Sequence, residues 1–334
     1  MTKCLFFVIN IPRLSVWESL FLQAPLTGVV AFFDNSFYPI FRNPQGDPLI
    51  THTGHRVHHA LALYELTVSD GEFEVTQAAT LNPFTASHYS EFKYGRSDIA
   101  EQYGRAIALQ LVEHFLAHGY QNDPIVVIGT PYKRVPNAAR MLSIVVERHL
   151  RQQGFATSHS TIYQHRLANG DYGTLSATDR DKRNKGKKRY VDPDDFVGRH
   201  VVLIDDVRIT GSIERSTLAH LEGVDVLSTT VVNLVRLDPE AALREPQLED
   251  KLNHYAVKSL PDLVRLMNKR YRYTLTTRAV KYILQSDPAD TQRFLGRLGP
   301  HRTMELYEAI VDEGYDLMPC YDQAFRLIRT ACSR

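Results

Sequence analysis

The chain of 334 residues carries 39 Lys and Arg against 38 Asp and Glu, a formal net charge of +1, so it has no global attraction for nucleic acid or an anionic membrane. Its hydrophobic content, 43%, is that of an ordinary soluble protein, and its length suits two domains or one enlarged domain with extensions. Cys4, Cys320 and Cys332 are widely spaced, which excludes a disulfide framework and a cysteine metal centre and suits a reducing cytoplasm. No apolar run approaches the ~20 residues of a membrane span. The run at 5–9, broken by Asn10 and Pro12, is too short for a signal-peptide core.

Residues 1–88 predict a small α+β extension, with short apolar runs at 5–9 and 28–33 and a turn at Asn43-Pro44-Gln45-Gly46-Asp47. His52, His55, His58 and His59 cluster there, and His55 and His59 would share one face of a helix. No cysteine or carboxylate completes a ligand set, so a structural histidine-rich segment is the simpler reading. Asp34 follows an apolar run as a phosphatase nucleophile would, but Ser36 stands where that chemistry needs a second Asp.

Residues 89–238 read as the core. Asp98 and Glu101 have the spacing of a capping box, and Ile99, Tyr103, Ile107, Leu111 and Phe115 mark the inward face of a helix stopping at Gly119. A strand at 125–129 leads into Thr130-Pro131-Tyr132-Lys133-Arg134-Val135-Pro136, with Pro136 in the first turn of a helix running to about Gln153. A β-rich run at 161–166 precedes a polar loop at 168–200, which contains the basic stretch from Asp179 to Tyr190. The run from Arg199 to Ile204 is a buried strand ending on Asp205-Asp206, and Thr210-Gly211-Ser212 then opens a helix. A strand at 226–237 closes the core. Strands alternating with helices predict an α/β fold with a doubly wound parallel sheet, whose ligands bind beyond the carboxyl ends of the strands. Residues 239–334 predict a helical region, with helices at 259–271, 276–285, 290–298, 303–313 and 322–330.

The chemistry concentrates after the strand at 199–204. Backbone N–H groups of the turn at Thr210, Gly211 and Ser212 suit a phosphate dianion, and Asp205 and Asp206 suit ribose hydroxyls and a divalent metal. This stretch resembles the phosphoribosyl-pyrophosphate (PRPP) motif of type I phosphoribosyltransferases. Gly129-Thr130-Pro131-Tyr132-Lys133-Arg134-Val135-Pro136 resembles the pyrophosphate loop of the orotate-type members. The basic stretch stands where those enzymes carry a mobile catalytic loop. The resemblance covers about 88–238.

It implies a phosphoribosyl transfer to a heteroaromatic acceptor with Mg²⁺ and pyrophosphate as leaving group, in a cytoplasmic homodimer. Asp205 and Asp206 would serve as catalytic and metal-binding carboxylates, and Lys133 with the Tyr132 and Arg134 backbone would hold pyrophosphate. Arg180, Lys182 and Lys185 would close over PRPP and exclude water from C1. In His88-Tyr89-Ser90-Glu91-Phe92-Lys93-Tyr94-Gly95-Arg96 the aromatics Phe92 and Tyr94 would stack on the acceptor, or pack where the helix begins, and Lys93 would take an anionic group. Ile209 and Ile213 depart from the family pattern, and with the foreign flanks they point to an accessory, biosynthetic-cluster type rather than a housekeeping enzyme. A PRPP- or nucleotide-binding regulator on the same fold is the alternative. Nucleic-acid binding through the basic stretch ranks below both.

Overall fold

The computed structural model describes residues 58–164, 189–245, 247–268 and 273–333. Its centre is a six-stranded sheet made of β1 (His58–Ser69), β2 (Glu72–Ala78), β3 (Ile125–Gly129), β4 (Thr157–His159), β7 (His200–Arg208) and β8 (Ser228–Leu237). The spatial order is β2-β1-β8-β7-β3-β4, parallel throughout except for the β2 edge. A second, two-stranded ribbon pairs β5 (Tyr163–Gln164) with β6 (Arg189–Tyr190). The α/β class and the parallel core are therefore as the sequence predicts. The sheet also takes in β1 and β2, on the N-terminal side of residue 88, and His59 lies on a strand rather than a helix.

Helices α1 (Ala86–Lys93), α2 (Ser97–His118) and α3 (Ala138–Gln152) precede α4 (Ser212–Leu218). Period-two alternation sorts the central strands onto two apolar faces. Ile125, Val127, Val202, Ile204, Val232 and Leu234 pack with Ile99, Ile107, Leu111, Phe115, Leu142 and Val146 of α2 and α3. Val126, Ile128, Val201, Leu203 and Val231 pack on the opposite side with Ile162, Phe196 and Leu221. Each such side chain contributes roughly 1.5–3 kcal/mol on full burial, which is why the strands read as unbroken apolar runs.

Helix starts differ from the expectation. α2 begins at Ser97, and Asp98 accepts from Arg96 while Glu101 pairs with Arg148 and His149, so the capping box is not formed. Its inward residues Ile99, Tyr103, Ile107, Leu111 and Phe115 are all buried, and Gly119 ends it at φ 76°. α3 starts two residues after Pro136, capped by Asn137, whose side chain accepts from the Arg140 N–H at 2.8 Å.

Beyond β8 lie α5 (Pro239–Arg244), α6 (Leu248–Asn253), α7 (Leu260–Asn268), α8 (Thr277–Gln285), α9 (Pro288–Leu295), α10 (Pro300–Glu313) and α11 (Asp322–Cys332). Helices α7 to α11 share a cluster built on Leu263, Val280, Ile283, Leu306, Ile310 and Ile328, which also buries Tyr94 and Val135 from the preceding region. Where the two regions meet, the Thr274 N–H donates to the Gly95 carbonyl at 2.9 Å. Gly95 has φ 111°, and a Cβ there would lie 2.0 Å from the Thr274 carbonyl oxygen, so only glycine fits. Among the described residues no helix is long and apolar enough to cross a membrane.

Candidate active site

The parallel register brings two of the sequence motifs side by side. Gly129 at the end of β3 is paired with Ile204 of β7, so the loop 130–136 and Asp205-Asp206 leave adjacent strands at the same level. Thr210, Gly211 and Ser212 follow at the end of β7. All three lie at the carboxyl end of the sheet, where a doubly wound fold binds ligands.

Asp205 and Asp206 are both buried, and their side chains go to opposite faces by the alternation of the strand. The Asp205 carboxylate accepts the Asp206 N–H at 2.9 Å. Burial first, and then the neighbouring Asp206 charge, push its carboxyl well above the usual carboxylate range, against the counteracting Lys93 charge. Asp206 faces α1, where it pairs with the Lys93 ammonium and accepts from the Tyr89 hydroxyl at 2.8 Å. Tyr89 and Lys93 are four residues apart, which places both on one face of the helix. Burial, followed by the Asp206 charge, raises the Tyr89 hydroxyl pKa, so it remains a donor. On the other face Asn233 of β8 stands in register with Asp205. It is wholly buried, and its side-chain amide has no hydrogen-bond partner among the described residues.

The turn at 210–212 carries its left-handed residue where the sequence supplies glycine, Gly211 with φ 67°. Two guanidinium groups flank it. A Cβ on Gly211 would lie 3.3 Å from Arg208 Nε and from Arg215 Nη1. Arg208 also pairs with the buried Glu214 at 3.4 Å, and Arg215 donates to the Thr210 carbonyl at 2.8 Å. Ile209, in a place where a polar residue is expected, packs against the main core cluster.

The loop 130–136 is held from several sides. Asn137 Nδ2 donates to the Thr130 carbonyl at 3.3 Å, and Tyr132 bridges to Tyr163 while its ring lies under the Arg140 guanidinium. Glu313, the last residue of α10, accepts from the backbone N–H groups of Arg134 at 2.8 Å and Val135 at 2.7 Å. Thr277 of α8 donates to the Pro136 carbonyl at 3.0 Å. Lys133 is half-buried, and Arg134 is exposed, 3.8 Å from Asp312.

Several sequence-derived residues sit elsewhere than the resemblance implies. Phe92 is wholly buried and packs edge-on against Tyr89 and Tyr103. Tyr94 is wholly buried against His254 and Tyr282. These are core contacts, and the aromatic residue that reaches the acidic pair is Tyr89. Arg180, Lys182 and Lys185 lie outside the described residues, as do His52 and His55. Sequence reasoning left out Tyr89, Arg208, Arg215, Asn233 and Glu313. The Tyr89/Lys93 spacing offered a signal, and Arg208 and Arg215 flank the glycine turn in sequence, whereas Asn233 and Glu313 acquire their place through pairing across the fold.

The family model described as PRTase ComF-like matches residues 65–328, more than three-quarters of the chain. The chain belongs to the ComF-like phosphoribosyltransferase family. That span begins within β1 and ends in α11, so the family unit includes the helical region as well as the sheet. Solved phosphoribosyltransferases are distant by comparison. The L. donovani hypoxanthine-guanine enzyme is 10% identical, with a TM-score of 0.31, covering 45% of this chain and 78% of its own. The Trypanosoma cruzi hypoxanthine enzyme in complex with IMP is 15% identical, with a TM-score of 0.30, covering 42% and 68%. The Bacillus anthracis hypoxanthine-guanine enzyme is 15% identical, with a TM-score of 0.29, covering 45% and 73%. No protein of curated function matches the sequence significantly.

Proposed function

We propose that this phosphoribosyltransferase-family protein moves ribose 5-phosphate between PRPP and a heteroaromatic acceptor. The observation that carries the reading is the Gly129–Ile204 register, which sets the pyrophosphate-type loop beside the acidic pair. In the forward direction the bond from C1 to pyrophosphate breaks, a ring nitrogen of the acceptor bonds to C1, and that nitrogen gives up its proton. Positive charge develops on the sugar ring as pyrophosphate leaves, and Asp205 and Asp206 oppose it while holding the ribose hydroxyls. The 210–212 turn, with Arg208 and Arg215 beside it, holds the 5′-phosphate. Lys133 and the remaining loop hold pyrophosphate, and Arg180, Lys182 and Lys185 complete the cationic enclosure, in this reading from the partner protomer of a homodimer.

A hard dication suits the donor set. Among the described residues Lys93 is the cation paired with the acidic pair, through Asp206, and on the other face an orphaned buried amide, Asn233, stands in register with Asp205. Asp205 and Asp206 would hold Mg²⁺ together with the ribose hydroxyls. When bound, the ion supplies charge neutralisation for the pyrophosphate.

The test is a pyrophosphate-release screen with PRPP, Mg²⁺ and a library of heterocycles, run beside calorimetry with PRPP. Release with one or more acceptors is expected, reduced roughly 10²-fold or more in Asp206→Asn. PRPP binding without consumption across the whole library would instead assign the chain to regulation. Absence of PRPP binding would remove both readings.

A further inference from the structure

At the amino-terminal end of the sheet, the pole opposite the acidic pair, three imidazoles meet. His59 lies on β1, and His114 and His118 lie four residues apart on the last turns of α2. α2 starts at the carboxyl end of the sheet and returns along it, which brings its C-terminus to the first residues of β1. The ring centroids are 4.6 Å apart for His59 and His114, 4.5 Å for His59 and His118, and 4.2 Å for His114 and His118. One ring nitrogen of each lies within 4.8 Å of those of the other two.

Two observations separate this group from chance packing of histidines. The His114 Nε2 is buried and has no hydrogen-bond partner among the described residues. Leaving a polar nitrogen so placed costs about 1–3 kcal/mol unless something takes its lone pair. The His118 Nδ1 is 2.8 Å from the His114 carbonyl oxygen, which only a protonated nitrogen can satisfy, so Nε2 keeps the lone pair. Such an N–H to carbonyl bond is how proteins commonly orient a metal-ligating histidine.

We propose that His59, His114 and His118 form a binding site for one late first-row divalent transition-metal ion, with zinc the ion it suits. Three imidazoles and no carboxylate select a borderline ion over Mg²⁺ or Ca²⁺. Two ligands four residues apart on a helix and a third from a neighbouring strand supply three corners of a tetrahedron, and the fourth is open to water. Zn–N bonds of about 2.0–2.1 Å would draw the three nitrogens to roughly 3.4 Å from one another. The ion would clip β1 to the end of α2. It is independent of the acidic pair and of the transferase reading.

The experiment uses the full chain with any affinity tag removed, stripped with a chelator. Zn²⁺ is titrated in competition with a chromophoric chelator, and Co²⁺ is titrated while recording its visible spectrum. One equivalent of Zn²⁺ and the intense visible bands of tetrahedral Co²⁺ are expected. His118→Gln, at an exposed position, should weaken binding by roughly tenfold or more and leave the metal-free thermal melt unchanged; His59→Gln should weaken it comparably. Lys133→Gln, at the pole of the acidic pair, should bind Zn²⁺ as the parent does. Equal affinity in His118→Gln and the parent, absence of stoichiometric binding, or loss of Zn²⁺ in Lys133→Gln would each overturn the proposal, the first two leaving an aromatic cluster only.

Discussion

Asp206, proposed above as a site carboxylate, is also committed to the packing of the fold. Its partners, Tyr89 and Lys93, come from one face of α1, and both side chains are buried with it. Removing one member of a buried ion pair leaves the other charge without compensation, at a cost of about 3–5 kcal/mol. Lys93→Met should therefore lower the free energy of unfolding by that order, measured by urea denaturation. Lys93→Met combined with Asp206→Asn should lose less than the sum of the two single variants, because the orphaned charge is gone. Strict additivity would show that the pair is not coupled. In the sequence Lys93 was legible as a cation for an anionic group of the ligand, and only the structure pairs it with Asp206. The hydroxyl of Tyr89 has its partner 117 residues away, and no local pattern encodes that separation.

Among the elements, α10 has the least expected consequence. Its helical period is plain in the sequence, and it looks there like one rung of an appended bundle. In the structure its last residue, Glu313, takes the N–H groups of Arg134 and Val135 and so sets the conformation of the loop that carries Lys133. Glu313→Ala leaves two donors without their acceptor, a loss of roughly 1–3 kcal/mol in stability. If the loop holds pyrophosphate as proposed, the same variant should raise KM for PRPP more than it lowers kcat. An unchanged KM would show that the loop holds its shape without Glu313. The helix starts at Ser97 and Ala138 give a smaller lesson. The capping-box spacing at Asp98 was present, yet the neighbouring Arg96 took the Asp98 carboxylate and Arg148 and His149 of α3 took that of Glu101, so ion pairs outcompeted the cap.

At the largest scale the helical region and the sheet share buried contacts. Tyr94 and Val135 complete the helical cluster, Gly95 admits the Thr274 backbone, and Ser90 accepts from the N–H groups of Ala256 and Val257. A chain ending at residue 238 would expose these apolar and polar surfaces together. It should be insoluble, or melt without a cooperative transition, where the full chain unfolds cooperatively in calorimetry. A soluble fragment with a sharp transition would show that the helices are dispensable to the core.

Period-two and period-3.6 patterns, with the acidic pair, the Tyr-Lys loop and the glycine turn, were enough in the sequence to determine the parallel α/β core and its phosphoribosyltransferase family. Those signals are local: burial of each strand and helix face is written into the spacing of its own residues. Tertiary structure alone decided that Lys93 and Tyr89 meet Asp206, that Phe92 and Tyr94 serve the core, that Glu313 holds the loop, and that three histidines from two elements converge at the far pole. Each of these depends on strand order and register, which bring together residues far apart in the chain and which no local periodicity specifies.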